Sequence, residues 1–375
     1  MKWVFWMAAG FIVYAYLGYP AWLWLRSHWS PRPVRRGERT PAVSAVMVVR
    51  NEEGIIATKL ENLLQLDYPE ATLDVVVVSD GSSDRTVEIL EQFAGSGRVR
   101  VMAKPESEGK AAGLNDAIQA ASGEVLFFTD ARQYVEPAAL RLLIENFADP
   151  DVGAASGELM LGDPHTGETG KGMGLYWRME KKIRELESAS GSVPGATGAI
   201  YCARRSLLQA SPLPEGTILD DVLLPMQIVR RGSRVIFDSR ARAWDCADLG
   251  GSREFQRKVR TLGGNYQLLQ LAPWLLGSKN PIRLEFVSHK LARLVVPFTL
   301  LALLVASALI SSWLYRAALL AQLAFYALSV LAITGLRIGA LSRVADPART
   351  FVVLNFAALV AFVNFITGKK VVWVR

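Results

Sequence analysis

The fold is decided by residues 43–53 (VSAVMVVRNEE), 74–84 (DVVVVSDGSSD) and 124–132 (EVLFFTDAR). Each stretch begins with an apolar, β-branched or aromatic run of strand length and ends in polar residues. Helical patterns and one more strand pattern occupy the chain between them, at 55–66, 85–93, 99–103 and 111–121. Near-continuous apolar strands that alternate with helices are typical of a parallel sheet covered on both faces. The sequence therefore predicts an α/β domain.

Polar side chains follow these strands at the point where each strand ends. Asn51 and Glu52 follow the first strand, Asp80 follows the second and Asp130 follows the fourth. The carboxyl ends of parallel strands meet at one edge of the sheet, where α/β proteins bind their ligands. Asp, Asn and Gly are also ordinary turn residues, but their alignment at three strand ends indicates a binding site.

The glycine-rich dinucleotide pattern and the P-loop are both absent after the first strand. A phosphate bound at this edge would therefore be held by side chains and a cation. Lys110 begins a helical pattern beside the predicted site, where a positive charge opposes the helix dipole. A bound anion would relieve that conflict; the alternative is a solvated lysine.

Membrane-spanning helices are predicted at both ends of the chain. Hydrophobic residues make up 51% of the sequence and charged residues 21%, which is more apolar than an ordinary soluble domain. The excess lies in four runs without Asp, Glu, Lys or Arg, at 3–25, 294–315, 317–336 and 350–368. Each run is close to the ~20 residues that a helix needs to cross a bilayer. Because these runs carry no ionisable residue, an ion-coupled transporter is disfavoured.

The arginines beside the spans predict a cytoplasmic central region. The first run is longer than the roughly 7–15 residues of a signal-peptide core, and basic residues follow it at Arg26, Arg32, Arg35, Arg36 and Arg39. Such segments are usually cytoplasmic, and Arg337, Arg343 and Arg349 predict the same for the loop after the third run. Four crossings would leave the basic tail outside, so either the tail is an exception or one run is re-entrant.

The net charge limits the classes of binding partner, and the cysteines and histidines indicate no metal site. The formal net charge of +7 suits anionic lipid headgroups or a phosphate-bearing substrate, and no nucleic acid is expected because much of the excess flanks the spans. Cys202 and Cys246 are expected to be reduced thiols. The three histidines, His28, His165 and His289, do not lie at the sequence spacings typical of metal ligands. The charged helical pattern at 173–187 is interpreted as a solvated or interfacial helix without chemistry.

The order of motifs resembles the inverting family 2 glycosyltransferases, especially their membrane-embedded branch similar to cellulose synthase. Five segments carry the resemblance, which covers most of the chain: VVRNEEGIIATKLENLLQLDYP (48–69), VVVVSDGSSDRT (75–86), GKAAGLNDAI (109–118), LFFTDARQYVEP (126–137) and LDDVLLPMQIVRRGSRVIFD (219–238). The resemblance implies a GT-A-type, Rossmann-like nucleotide-sugar domain with a mixed, mostly parallel sheet, joined to an α-helical transmembrane region.

The resemblance also implies four regions. An N-terminal transmembrane helix would occupy 1–25, and a cytoplasmic GT-A glycosyltransferase domain would occupy 26–250. Amphipathic interfacial helices that carry an Arg-x-x-Arg motif would follow at 251–293. A C-terminal transmembrane region of about three helices would complete the chain at 294–375.

For the nucleotide-sugar site, the resemblance implies that Glu52 and Asp80 contact the uridine of a UDP-sugar, with Asn51 beside them and Lys110 near the diphosphate. Asp130 would lie near the ribose, the diphosphate and a divalent cation.

The family usually has Asp-x-Asp at this last position, whereas this chain has Asp130-Ala131-Arg132. Mg²⁺ or Mn²⁺ is still expected, because Mg²⁺ often takes one or two carboxylates, several waters and phosphate oxygens. Alternatively Arg132 supplies part of the positive charge.

Asp220-Asp221 stands where the family typically has Glu-Asp. The second carboxylate matches the general base, so Asp221 would take the proton of the acceptor hydroxyl as it attacks the sugar. A single displacement of this kind inverts the anomeric centre. The structural alternative is a pair of N-cap residues for the helical pattern at 222–231, with one of the two capping and the other catalysing.

Arg257 and Arg260 occupy the place of the family's Gln-x-x-Arg-Trp motif. Arg260 would hold the leaving diphosphate, which suits a planar charged fork. Thr261 replaces the Trp that stacks on the acceptor sugar in processive relatives, and Tyr266 is a candidate substitute. The alternative for the basic cluster is a headgroup-binding face of an interfacial helix.

Residues 192–198 (SVPGATG) resemble the loop on the acceptor side. The resemblance points to Gly195, Thr197 and Gly198, since small residues let a sugar approach the backbone. A plain tight turn is the alternative.

The sequence thus predicts a membrane-integral inverting glycosyltransferase of the bacterial plasma membrane. It would transfer a sugar from a UDP-sugar to a glycan or lipid-linked acceptor in cell-envelope polysaccharide synthesis, with polysaccharide-export or synthase subunits as partners. The first alternative is a transferase that adds one sugar to a polyprenyl or glycerolipid acceptor. The second, of another class, is a non-catalytic subunit that binds nucleotide or glycan.

Overall fold

The computed structural model describes residues 1–95, 97–164, 174–245, 250–333 and 342–369. Several residues used in the sequence predictions lie outside these ranges: His165, Cys246, Arg337 and the basic tail residues Lys370 and Arg375. The remaining cysteine, Cys202, is a buried free thiol.

An eight-stranded sheet forms the centre of the described chain. Its strands are β1 (Val43–Val49), β2 (Leu73–Asp80), β3 (Val99–Lys104), β4 (Val125–Phe128), β5 (Tyr134–Val135), β6 (Val152–Leu161), β7 (Tyr201–Arg204) and β8 (Arg234–Asp245). They lie in the order β3-β2-β1-β4-β7-β6-β8-β5. Strands β1 to β4 are parallel, β7 runs antiparallel to β4 and β6, and β5 runs antiparallel to β8. The predicted mixed, mostly parallel sheet is confirmed.

Helices cover both faces of the sheet and extend beyond it. They are α1 (Lys2–Val13), α2 (Tyr19–Trp29), α3 (Ile56–Leu64), α4 (Thr86–Ala94), α5 (Lys110–Ala120), α6 (Ala139–Glu145), α7 (Leu175–Ser190), α8 (Asp220–Arg230), α9 (Gly250–Leu271), α10 (Arg283–Phe286), α11 (Ala292–Leu309), α12 (Trp313–Ile333) and α13 (Ser342–Ile366). In β1 to β4 and α3 to α5, the observed ends differ from the predicted ones by at most two residues.

The two faces of β1 explain why its sequence is a continuous apolar run. Ala45 and Met47 belong to a core that also contains side chains of α3, α4 and α6. Val46 and Val48 belong to a second core with side chains of α5, α8 and α9. A strand covered on both faces has no solvent-facing positions for polar residues. The polar residue inside β1, Ser44, is buried and donates to Asp74 Oδ1 at 2.6 Å, and the other polar residues follow the strand at the edge of the sheet.

Among the described residues, four helical segments are long and apolar enough to cross a membrane. We call them the first span (Lys2–Trp29), second span (Arg283–Leu309), third span (Trp313–Ile333) and fourth span (Val344–Ile366). A π-helical turn joins α1 to α2 at Tyr14–Gly18, and another joins α10 to α11 at Val287–Leu291. The structure therefore supports a helical transmembrane region contributed by both ends of the chain.

The second span begins earlier than the sequence predicts. The charge-free run starts at 294, but the helix starts at Arg283 and includes five ionisable residues before that run, namely Arg283, Glu285, His289, Lys290 and Arg293. These residues precede the charge-free run 294–315, which is the segment that the sequence predicts to cross the membrane. A charge-free run ends at its first charged residue by definition. The helix extends further, because Glu285, His289 and Arg293 pair with residues of the first span and α7.

Candidate functional site

The Asp80 carboxylate is buried at the end of β2, with 4% of the residue exposed. It accepts hydrogen bonds from the Ser107 hydroxyl at 2.7 Å and from the amides of Glu108 and Gly109 at 2.8 and 3.0 Å. Gly109 has a φ of 93°, which glycine adopts without the steric cost that other residues meet. Asp80 thus fixes the loop that leads into α5 and Lys110.

Asn51 and Glu52 connect the end of β1 to the turn after β2. The Asn51 side-chain oxygen accepts a hydrogen bond from the Ser83 amide at 2.8 Å, and the Glu52 amide donates to the Thr86 hydroxyl at 2.8 Å. Burial raises the pKa of Glu52, against the opposing effect of the nearby Arg132 guanidinium. The structure therefore brings Asn51 and Glu52 to the same edge of the sheet as Asp80.

Lys110 lies between Asp130 and Asp220, the residue before the predicted base Asp221. Its Nζ is 2.9 Å from Asp130 Oδ1 and 3.5 Å from Asp220 Oδ2. Burial alone would lower the pKa of Lys110, but the charges of Asp130, Asp220 and Asp221 outweigh burial and hold it above its ordinary value. Lys110 is therefore a charged, paired lysine, and the alternative of a solvated lysine is wrong.

Asp220 and Asp221 lie in the first turn of α8 and do not precede it. The N-cap residue is Leu219, without a side-chain capping bond, so the N-cap alternative is wrong for both aspartates. The helix dipole still favours carboxylates at these positions. Burial raises the pKa of Asp221 to about 6, helped by the Asp220 charge and opposed by Lys110. This carboxyl group can therefore exchange a proton just below neutral pH.

The loop 195–198 lies directly against Asp221. The Ala196 amide donates to the backbone oxygen of Asp221 at 2.7 Å, and a methyl group at Gly198 would lie 3.3 Å from Asp221 Oδ2. Gly195 has a φ of 139°, in the region that favours glycine. Thr197 and Gly198 are the partly exposed members of an otherwise buried loop. The predicted acceptor loop and the predicted base therefore share one surface.

Asp245 organises the basic side chains at the end of β8. Its Oδ2 is 2.6 Å from Arg132 Nη2 and 3.7 Å from Arg257 Nη1, and Gln133 Nε2 lies 3.3 Å away. Asp245 is not among the residues that the sequence predicts, although it ends β8 as Asp80 ends β2. Arg132 therefore has a buried carboxylate of its own to balance its charge.

The predicted Arg-x-x-Arg motif lies on α9. Arg260 is half-buried, one turn after Arg257, and Thr261 is exposed. The Tyr266 ring packs against Phe362 and Phe365, with ring centroids 5.8 and 5.3 Å apart. Tyr266 therefore contacts the fourth span, and the expectation that it replaces the missing Trp at the acceptor is not supported.

One carboxylate is available for a divalent cation. Among the described residues, no group of three His, Cys, Asp or Glu side chains is placed to hold a metal ion by itself. Asp130 has 41% of its side chain exposed and turns Oδ1 to Lys110, so Oδ2 is the oxygen that remains for a cation. Mg²⁺ accepts such a site when a substrate diphosphate and waters complete its coordination.

Two buried features of the site were not predicted. Lys59 donates to the Thr129 hydroxyl at 2.9 Å and to the Gln133 backbone oxygen at 2.6 Å, and burial lowers its pKa to about 7. It supports the segment that carries Asp130. On α7, Ile183, Leu186 and the buried Glu187 contact the first span or lie beside it. Of the two alternatives for 173–187, a solvated or an interfacial helix, the solvated one is therefore wrong over 183–187.

Comparison with solved structures defines the class of fold. A mannosyltransferase from Pyrobaculum calidifontis, in complex with GDP-Man and Mn²⁺, aligns with a TM-score of 0.73 at 23% identity, over 98% of this chain and 100% of that one. The fold is thus that of a GT-A glycosyltransferase. Residues 44–211 match glycosyl transferase family 2. The chain carries a domain of that family, and the predicted family is confirmed.

Two relatives are poly-β-1,6-N-acetyl-D-glucosamine synthases. The one from Staphylococcus aureus (strain MSSA476) is 25% identical over 256 residues, which is 65% of this chain and 60% of the relative. The one from Staphylococcus epidermidis is 24% identical over 248 residues, or 63% and 58% of the two chains. The match spans about three fifths of each relative. Asp221, Arg257 and Arg260 lie beyond the segment that matches the family.

Proposed function

We propose that the protein is a membrane-integral inverting glycosyltransferase that transfers a sugar from a UDP-sugar to an acceptor at the cytoplasmic face of the membrane. The observation that carries the proposal is the placement of Lys110 between Asp130 and the Asp220–Asp221 pair. This arrangement brings a paired lysine and a carboxyl group with a raised pKa together beside the segment that matches family 2, which supports the proposal. The enzyme needs these two groups beside the anomeric carbon.

The donor would bind along β1, β2 and β4. Glu52 and Asp80 would contact the uridine, with Asn51 holding the turn after β2 and Asp80 holding the loop before α5. Lys110 would face the diphosphate from the start of α5. Arg260 on α9 would hold the leaving diphosphate from the opposite side, with Arg257 kept in place by Asp245.

In the transfer step, Asp221 would take the proton of the acceptor hydroxyl. The hydroxyl oxygen forms a bond to the anomeric carbon while the bond from that carbon to the diphosphate oxygen breaks, and UDP leaves with the electron pair. The proton on Asp221 then passes to solvent. Preorganised positive charge beside the departing diphosphate is expected to be a major part of the rate enhancement.

We propose Mg²⁺ or Mn²⁺ as the cofactor, held by Asp130 and the donor diphosphate. The proposal is supported by the partly exposed Asp130 side chain and by the Mn²⁺ present with GDP-Man in the similar mannosyltransferase structure. A bound cation would neutralise part of the charge that builds up on the leaving diphosphate.

The acceptor is proposed from the relatives and from α9. Their name favours a glycan acceptor and N-acetylglucosamine as the sugar, in a cell-envelope polysaccharide made with export or synthase subunits. The exposed Thr261 and the position of Tyr266 on the fourth span favour single additions to a lipid acceptor as the second candidate. Product length separates the two.

The test is UDP release by the full chain in nanodiscs. UDP-N-acetylglucosamine, UDP-glucose, UDP-galactose and UDP-glucuronate are each supplied with Mg²⁺, Mn²⁺ or EDTA. We expect release from one donor that depends on the metal. UDP binding without release from any donor, in the presence of membrane lipid extract as acceptor, would favour the non-catalytic subunit.

A further inference from the structure

A buried ionic cluster joins the first span, α7 and the second span. We call it the junction cluster, and its members are Tyr19, Glu180, Glu187, His289 and Arg293. His289 is 2% exposed; its Nδ1 lies 2.9 Å from Glu187 Oε1 and its Nε2 lies 2.7 Å from Glu180 Oε1. The Tyr19 hydroxyl donates to Glu187 at 2.5 Å, and Arg293 donates to Glu180 at 2.5 Å.

The junction cluster brings charged groups together in a buried place. Both ring nitrogens of His289 face carboxylate oxygens, and the guanidinium groups of Arg293 and Arg184 lie 2.5 and 3.4 Å from Glu180. Burying such charges is costly and seldom the best way to stabilise a fold. Ionisable groups inside a membrane span are more often functional.

The backbone of both spans is irregular at the same level. The π-helical turns Tyr14–Gly18 and Val287–Leu291 meet where the Tyr14 hydroxyl lies 2.6 Å from the Ser288 hydroxyl. Turns of this type inside α-helices are frequent at functional sites. An ion pair between Arg26 and Glu285 adds a further connection between the two spans. The spans are thus fixed to each other beside α7.

A chain of contacts leads from the junction cluster to the predicted base. Arg184 follows Glu180 by one turn of α7, and its Nε lies 3.4 Å from Glu180 Oε1. Its Nη1 donates to the Thr197 hydroxyl at 2.9 Å. Thr197 belongs to the loop 195–198, whose Gly198 packs against Asp221. One guanidinium therefore connects the membrane junction to the loop that faces Asp221.

We infer that Arg184 and His289 are positioning residues for the transfer step. The junction cluster fixes α7 between the two spans. Arg184 on α7 then holds the loop 195–198 in place through Thr197, and this loop packs against Asp221. The inference rests on the proposed function, because it assigns these residues to the base of that reaction. A base must lie within hydrogen-bond reach of the acceptor hydroxyl. The membrane spans are therefore part of the catalytic geometry as well as an anchor.

The first test compares Arg184→Gln and His289→Gln with the matched controls Lys182→Gln and His28→Gln in nanodiscs. Lys182 is an exposed residue of α7, and His28 is an exposed residue near the end of the first span. Misplacing a catalytic group by about 1 Å can cost ~10²-fold in rate. We expect kcat to fall by about 10- to 100-fold in the two positioning variants, with the KM for the UDP-sugar unchanged. A loss that appears in KM alone, or equally in the controls, would overturn the inference.

The second test asks whether His289 acts through Arg184. Residues in one network show non-additive effects, whereas independent residues act additively in free energy. The double variant Arg184→Gln/His289→Gln should therefore be no slower than the slower single variant. Arg184→Lys keeps the charge beside Glu180 with a single donor nitrogen, so it should recover part of kcat. Multiplied losses in the double variant would contradict the inference.

The third test does not depend on activity. Hydrogen exchange of residues 192–199 in the full chain should be faster in Arg184→Gln than in the wild type or Lys182→Gln, because the loop loses its bond to α7. If the wild type releases no UDP but the loop exchanges faster in Arg184→Gln, the proposed function fails and the structural coupling stands. If exchange is unchanged, the coupling fails whatever the activity.

Discussion

The parallel half of the sheet, β1 to β4, and its mixed half, β5 to β8 with α7, α8 and α9, build their parts of the site differently. In the parallel half, Asp80 and Asp130 directly follow or end the strands that carry them. In the mixed half and at the membrane junction, contacts join distant residues: Glu187 and His289 are 102 positions apart, and Arg132 and Asp245 are 113 apart. Local sequence specifies the first kind of site, and the assembled fold specifies the second.

The two halves also differ in proposed task. The parallel half would bind the nucleotide, and the mixed half would hold the base, the acceptor loop and the leaving-group arginines. If this division is correct, variants on one side should change donor binding and variants on the other should change turnover. The predictions below test it, beginning with the largest expected effect.

Asp221→Asn should abolish most turnover and leave UDP binding intact. A general base contributes roughly 10²–10⁴-fold to the rate, and the amide cannot accept the proton. Turnover and UDP affinity are measured on the full chain in nanodiscs, with Asp67→Asn on the surface as the control. Loss of UDP affinity in parallel with turnover would place Asp221 on the donor side and break the division.

Lys110→Met should reduce the rate by about 10²-fold, the cost of removing one preorganised donor from a developing negative charge. The matched control is Lys104→Met, because Lys104 also lies between two carboxylates, Glu108 and Asp116, at 2.6 Å each. Lys110 is the bridge between the two halves, so both donor affinity and turnover should fall. Equal losses in the two variants would show that Lys110 only stabilises the fold.

The dependence of the turnover rate on pH should reflect the protonation of Asp221, which belongs to the mixed half. The raised pKa of Asp221, about 6, means that the carboxyl is protonated below that pH and cannot act as a base. The rate should therefore fall about tenfold per pH unit below 6. An acid limb near pH 4 instead would indicate a carboxylate without this burial.

Gly113→Ala should destabilise the parallel half. A methyl group there would lie 2.8 Å from Val48 Cγ1, and overpacking of this kind costs about 1–3 kcal/mol, more than the ~1 kcal/mol that alanine gains in helix propensity. Gly263→Ala, on α9 with open space around it, should stabilise slightly. Thermal unfolding measures both, and equal shifts would show that α5 does not pack tightly on β1.

Much of the parallel half could be predicted from sequence because its signals are local. Apolar runs of strand length fix β1 to β4, and the polar residue after each run marks the edge of the sheet. The resemblance to the family predicts the two carboxylates Asp220 and Asp221, one of them as the general base. It does not predict that both lie inside the first turn of α8. Helix starts depend on tertiary packing as well as on capping residues.

The mixed half and the membrane junction were harder to predict for a physical reason. Glu187 is charged and lies in a helix rich in charges, so its sequence pattern indicates a solvated face. Its burial depends on Tyr19 and His289 from two different spans. The early start of the second span at Arg283 and the role of Asp245 have the same origin, since their partners lie far away in sequence.

The pairing of the first span with the second span also sets an order for biosynthesis. Arg26 and its partner Glu285 are 259 positions apart, and ribosomes add about 5–20 residues per second. The first helix therefore waits roughly 10–50 s in the bilayer before its partner emerges. During that interval the Arg26 guanidinium and the Tyr14 and Tyr19 hydroxyls must form hydrogen bonds with water and lipid headgroups. The newly made chain thus completes its membrane junction only after the whole GT-A domain has left the ribosome.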